Sequence, residues 1–186
     1  MRLDPVYRAR MIAMLAHEGQ TDMAGKPYFE HCERVANNVT HWFWSGADNK
    51  AYTRQFKDDC KAVAFLHDVV EDTDWTIDDL ENLGHFNLAV VTGVDAMTQR
   101  YVHPYDPRPD NWRHDASYPN GDYVREPLED YWARVKANPH ARIVKVHGDI
   151  PDNNNPKRKE HLSAEKQAKL TDKYARALEF LGDTNG

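Results

Sequence analysis

The chain of 186 residues predicts an all-α fold, a helical bundle carrying one long proline- and aromatic-rich loop. Three observations carry the helical part of that prediction. Apolar residues recur at helical spacing through most of the chain, capping residues stand in front of those runs, and alternating strand patterns are scarce. Hydrophobic residues make up 40% and charged residues 29%, a balance that builds a core and argues against disorder. One domain spanning residues 1–186 is the simplest organisation at this length.

The elements follow in order. Asp4-Pro5 reads as a cap with proline at the first helical position and opens a helix to about Glu18. A second helix covers about Phe29 to Trp44, with Cys32, Val35 and Val39 turned inward, and Ser45-Gly46 ends it. The third runs from about Ala51 to Glu71. Thr76 with Asp79 resembles a capping box for a short fourth helix. Phe86–Thr98 reads as a fifth and Arg125–Ala137 as a sixth. Asn138-Pro139 breaks the chain before a helix over about Ala141–Gly148. Ser163 caps the last helix, which reaches Leu181 before Gly182 stops it.

The segment 99–127 is the least helical. It holds Pro104, Pro107, Pro109, Pro119 and Pro127 together with Tyr101, Tyr105, Trp112, Tyr118 and Tyr123. A structureless loop of this length in a domain is usually functional or disordered, and its aromatics favour a surface-packed lid.

Composition removes several classes of function. No apolar run approaches the roughly 20 residues that span a bilayer, and Met11–Ala16 is too short for a secretory core, so a cytoplasmic protein without a membrane partner is expected. Cys32 and Cys60 stand alone, against a disulfide framework or a structural zinc site. The net charge of −6 with no long basic run argues against nucleic acid as a partner. A homo-oligomer is left open. An anionic small molecule would need a metal and a few cationic side chains at the site itself.

The most informative stretch is Ala62–Thr73, AVAFLHDVVEDT. Residues four apart share a helical face, so His67 sits over Glu71 and Asp68 over Asp72. One turn then presents an imidazole and three carboxylates, enough to hold a divalent metal and leave acids for proton transfer. Two ligands from one helix need others from elsewhere. His31 in GKPYFEHCERVA and Asp149 in ARIVKVHGDIPDNNNP complete a set of two histidines and two aspartates. Such mixed donors suit manganese, iron, zinc or, less well, magnesium. The other histidines, His41, His85, His103, His114, His140 and His161, lack a partner pattern and read as surface or packing residues. His147 reads either way, and the PKRKE run at 156–160 reads as a solvated turn.

His31, the His67-Asp68 doublet and Asp149 stand in the order and approximate spacing of the HD-domain phosphohydrolases. More closely, AHEGQ (Ala16–Gln20), GKPYFEH (Gly25–His31), AFLHDVVEDT (Ala64–Thr73), TGVDAMT (Thr92–Thr98) and VKVHGDIPDN (Val144–Asn153) resemble the hydrolase domain of the RelA/SpoT proteins and the small alarmone hydrolases. The resemblance implies manganese held by His31, His67, Asp68 and Asp149, and chemistry by Glu71 and Asp72. It also implies Asn153 near metal-held water or substrate, and Tyr28 and Lys145 near the substrate, a nucleotide such as (p)ppGpp. His17 falls in the AH..Q segment, with a supporting or core role. Lys26, Arg100 and Arg142, with Lys145, are the nearest cationic candidates for phosphate. A bound metal would make hydroxide available for attack on a phosphorus atom, with Glu71 and Asp72 managing protons.

The chain also departs from the family. Asp22 and Met23 occupy the positions of an Arg-Lys pair that packs against guanine and phosphate. The family's K-L-A-D-R-L-H-N block has one extra residue before Asp149, and Ile150 replaces the arginine after it. The expected function is a 3′-pyrophosphohydrolase of (p)ppGpp. The rivals are an HD-type nucleotide or NADPH phosphatase and a nucleotide-binding regulatory module.

Overall fold

Side-chain caps place most helices where the sequence does. Asp4 Oδ1 accepts the N–H groups of Val6 and Tyr7 ahead of α1 (Pro5–Ala16). Helix α2 (Phe29–Ser45) follows, and Thr53 caps α3 (Arg54–Leu66). The structure, a computed structural model, describes residues 4–46, 51–102, 112–113 and 123–182. Helix α3 is the centre of the fold. Its second half, Cys60 and Ala62 to Leu66, is fully or almost fully buried, and α1, α2, α6 and α8 (the last two bounded below) pack around it.

The third predicted helix is not continuous through its motif. It ends at Leu66, His67 and Asp68 form a turn, and α4 (Val69–Asp72) resumes. The Ala64 carbonyl, which an unbroken helix offers to Asp68 N–H, accepts His67 Nδ1–H at 2.9 Å, and the backbone at Asp68 swings to φ −106°, ψ −3°. Thr76 and Asp79 close a reciprocal capping box on α5 (Ile77–Asn82), and Asn87 caps α6 (Leu88–Met97).

Segment 99–127 is not wholly structureless. Its strands β1 (Tyr101–Val102), β2 (Trp112–Arg113) and β3 (Val124–Arg125) form a small antiparallel sheet in the order β2-β1-β3. Because Val124–Arg125 pairs with β1 and Pro127 precedes the helix, α7 runs over Leu128–Ala137 and not from Arg125. Tyr105, Tyr118, His103, His114, Pro104, Pro107, Pro109 and Pro119 lie outside the described residues.

The predicted helix at 141–148 is longer and irregular. It comprises α8 (Pro139–Ile143), a widened π-type turn over Val144–Asp149, and α9 (Ile150–Asn153). A π-type turn is how a helix absorbs one inserted residue, which matches the extra residue in this block. Helices α10 (Pro156–Lys159) and α11 (Ala164–Leu181), capped by Ser163, complete the chain. Gly148 lets the widened turn lie directly on α2, since a Cβ there would fall 2.8 Å from Val39 Cγ2 and 2.9 Å from Val35 Cγ1. That contact brings α2 and its His31 up to Asp149. Cys32 and Cys60 are free thiols in the core. Among the described residues no helix is long and apolar enough to cross a membrane.

Candidate metal centre and cleft

Three segments deliver the centre. His31 opens α2, His67 and Asp68 stand in the break between α3 and α4, and Asp149 ends the widened turn. Donor atoms of His31, His67 and Asp149 all lie within 4.8 Å of one another, and all three residues are buried. Asp149 Oδ1 is 3.6 Å from His31 Nε2 and 3.7 Å from His67 Nε2. Asp68 Oδ2 adjoins them, 3.4 Å from His31 Nε2 and 2.9 Å from His67 Nε2.

The imidazole tautomers decide what this cluster can do. Nδ1 of His67 meets the Ala64 carbonyl at 2.9 Å, and Nδ1 of His31 meets Asp152 Oδ2 at 2.7 Å. Both acceptors require the proton on Nδ1, which leaves each Nε2 a lone pair. His67 Nε2 is buried without a hydrogen-bond partner: Asp68 Oδ2 is close but not aligned as an acceptor. Without a metal, burial is outweighed by the charges on Asp68 and Asp149, which raise the His67 imidazole well above its usual range, so a proton occupies the place between Nε2 and the carboxylates that a dication would take. The donor set therefore fits a divalent metal.

Lys145 Nζ sits 2.6 Å from Asp149 Oδ2, and Asn153 Nδ2 donates to Oδ1 at 2.5 Å. Burial alone would raise the Asp149 carboxyl, but the Lys145 ammonium leads the contacts that outweigh it and hold the group well below the usual carboxylate range. Tyr28 Oη lies 2.7 Å from Asp68 Oδ2 and 3.0 Å from Asp72 Oδ2, so one hydroxyl bridges a ligand candidate and a catalytic candidate. Burial, then the charge on Asp68, pushes Glu71 up to about 7. Its Oε2 accepts Gln99 N–H at 2.9 Å, and its Oε1 is 3.3 Å from Arg125 Nη2.

These groups open into a cleft of about 360 Å³. Five carboxyl residues line it (Asp22, Asp68, Glu71, Asp72, Asp149) against four cationic ones (Arg125, Lys145, Arg158, Lys173). With Glu71 pushed up to about 7, anions and cations nearly cancel there, and a bound dication makes the surface net positive for a polyphosphate.

The predicted residues do not all meet in it. His31, Asp68, Glu71, Asp72, Asp149, Tyr28, Lys145 and Asn153 line the cleft, and the buried His67 adjoins it through His31 and Asp149. Arg100 instead pairs with Asp95 at 2.9 Å, Arg142 donates to the Gly182 carbonyl at 3.2 Å, and Lys26 lines a neighbouring pocket. Each has a local reason: Asp95 is one helical turn and a step from Arg100, Gly182 ends the helix packed beside Arg142, and the chain reverses at Lys26, whose N–H bonds back to Asp22. His147 stacks on Trp42 with ring centres 4.1 Å apart, which makes it a packing residue. His17 is buried on Tyr28, ring centres 4.6 Å apart, with Gln20 at 2.7 Å from its Nδ1.

Sequence reasoning missed Asp152, Gln99, Arg125, Arg158 and Lys173. It also read the PKRKE run as solvated, whereas Arg158 and Lys159 are buried. Arg158 reaches Asp152, Asn153 and Asp22, and Lys159 reaches Asn154 and Thr171. The one signal for Asp152 is its position three residues past Asp149, on the same helical face.

No family model matches the chain. A guanosine-3′,5′-bis(diphosphate) 3′-pyrophosphohydrolase of Vibrio cholerae is 33% identical over 98 residues, which is 53% of this chain and 12% of that protein. The chain thus spans a small fraction of the length of that curated relative. Among solved structures, a metazoan ortholog of SpoT, reported to hydrolyze ppGpp and to act in starvation responses, superposes with a TM-score of 0.67 at 19% identity. The match covers 100% of this chain and 90% of that one. The two share their all-α fold.

Proposed function

We propose that this chain, a SpoT-like HD-domain protein, is a manganese-dependent hydrolase that removes pyrophosphate from guanosine 3′,5′-bis(diphosphate). In this reading residues 1–186 act as one cytoplasmic domain. The observation that carries it is the convergence of two Nε2 lone pairs and Asp149 on one point beside Glu71 and Asp72. The similarity to a 3′-pyrophosphohydrolase and the fold shared with a ppGpp-hydrolyzing protein support the substrate.

His31, His67, Asp68 and Asp149 would hold the cation, and their mixed nitrogen and oxygen donors suit manganese. When bound, it supplies Lewis acidity that makes water nucleophilic at neutral pH and offsets charge on phosphate oxygens. The reaction forms a bond from water oxygen to the phosphorus on O3′ and breaks the P–O3′ bond. One proton must leave the water and one must reach the departing O3′. Asp72, the more exposed of the two acids, takes the first. Glu71, which burial and the Asp68 charge push up to about 7 in the metal-free protein, delivers the second. Tyr28 keeps its proton and holds Asp72 in register with Asp68. Lys145, Arg125 and Lys173 face the phosphates, while Arg158 is held by Asp152 and Asp22.

The test is a product assay with manganese against ppGpp, ppApp, NADPH and dNTPs. The expected result is GDP and pyrophosphate from ppGpp. No turnover of ppGpp, with activity on adenine nucleotides alone, would overturn the guanine assignment and point to Asp22 and Met23 as the cause.

A further inference from the structure

Around His31 Nδ1 lies a network of two aspartates and two arginines, of which Asp22 and Arg158 also line the cleft. Asp152 Oδ2 faces His31 Nδ1 at 2.7 Å and receives Arg158 Nη1 at 2.5 Å, while its Oδ1 receives Arg34 Nε at 2.7 Å. Both arginines also reach Asp22 Oδ2, Arg34 at 3.0 Å and Arg158 at 3.3 Å. Asp22 Oδ1 accepts the N–H groups of Ala24 and Lys26, which ties the network to the loop before α2. The two buried aspartates are met by two arginines, one of them the buried Arg158, and Glu30 Oε2 lies 3.7 Å from Arg34 Nη1 at the network's edge.

Two assignments of His31 compete in this geometry. Arg158 Nη1 is 3.2 Å from Nδ1, and a guanidinium can only donate, so that contact alone would favour a bare Nδ1 and a protonated Nε2. The carboxylate contact is shorter and ionic. A bare Nδ1 at 2.7 Å from a carboxylate oxygen sets lone pair against lone pair. With the proton on Nδ1, that contact becomes a charge-assisted hydrogen bond, and Nδ1–H and Nη1–H converge on the same oxygen. The carboxylate wins, and Nε2 is left to face Asp149 and Asp68.

We propose that Asp152 is a positioning residue: its carboxylate, anchored by Arg34 and Arg158, fixes His31 in the Nδ1–H tautomer and aims Nε2 at the cation. The inference rests on the metal reading above and deepens it. A carboxylate behind a ligating histidine orients the ring, and its loss commonly costs 10–100-fold in metal affinity. In this chain the same carboxylate joins His31 to Asp22, coupling the metal centre to the loop that borders the cleft.

The experiment combines manganese titration calorimetry with imidazole nitrogen NMR on the metal-free protein, followed upward in pH until the His31 signals are those of a neutral ring. Wild type should bind manganese and show His31 with its proton on Nδ1. Asp152→Ala should bind manganese roughly 10–100-fold more weakly and lose the single tautomer, whereas Asp152→Asn, which keeps an acceptor, should retain the tautomer and lose less affinity. If wild-type His31 carries its proton on Nε2, the inference fails whether or not any variant folds. Equal manganese affinity and an unchanged tautomer in Asp152→Ala would overturn it while leaving the metal reading intact. No manganese binding by the wild type would overturn both.

Discussion

Lys145 Nζ lies 2.6 Å from Asp149 Oδ2, across the widened turn, while Asp149 Oδ1 faces both imidazoles. The carboxylate is divided: one oxygen is neutralised inside the protein, the other is offered to a cation. A narrower helical turn would space this pair differently, so the extra residue before Asp149 is part of how the pair forms.

Removing the ammonium therefore strands a buried charge. Lys145→Met should destabilise the metal-free protein by about 3 kcal/mol, the usual cost of breaking one side of a buried pair. Manganese should restore part of the loss, because the ion then neutralises Asp149. Thermal unfolding with and without manganese reads both effects.

Glu71 gives a pH signature. Its folded-state value of about 7 lies above the ordinary 4.5, so the fold favours the protonated form. Its contribution to stability is present in full below pH 4.5 and is lost as pH rises through about 7. Glu71→Gln should remove that dependence, so that above pH 7 the metal-free variant is the more stable by up to about 3 kcal/mol. Turnover should fall at least about 100-fold, the scale of a lost proton-transfer group. Denaturant unfolding across pH, with a turnover assay beside it, measures both.

Gly148 tests the packing that brings the ligands together. A methyl group there meets Val35 and Val39 side chains below 3.0 Å and the Val35 carbonyl at 3.1 Å. Gly148→Ala should cost about 1–3 kcal/mol by overpacking and weaken manganese binding by pushing α2 and His31 away from Asp149. Unfolding and manganese titration of the same variant check the pair of effects.

The cationic residues separate by location. Arg125→Ala, at the cleft and against Glu71, should lower kcat/KM for the nucleotide by about tenfold or more, as loss of a charged hydrogen bond would. Arg142→Ala, bound to the Gly182 carbonyl, should leave kcat/KM within about twofold. Steady-state kinetics on the two variants distinguishes them.

Much of the centre was legible in the sequence because it is written locally. His67, Asp68, Glu71 and Asp72 fall within six residues at the end of an apolar run, and caps such as Asp4, Thr76 and Ser163 announce helix starts. What escaped depends on tertiary contact. Arg34 and Asp152 are 118 positions apart and Arg158 and Asp22 are 136 apart, so neither pair leaves a periodic trace. The basic run that holds Arg158 looks like a solvated turn until its partners are in place. The break at His67 arises from a side chain taking a backbone carbonyl, which hydrophobic periodicity does not register. Strands of two residues are likewise too short to alternate visibly.

The claim beneath the account is that two Nε2 lone pairs and two aspartates grip a single cation. Manganese titration of the wild type and of His67→Ala, followed by electron paramagnetic resonance, tests it most directly. One tightly held ion per wild-type chain, lost in a variant of unchanged helix content, is the predicted result. Equal manganese binding by the two proteins would contradict it.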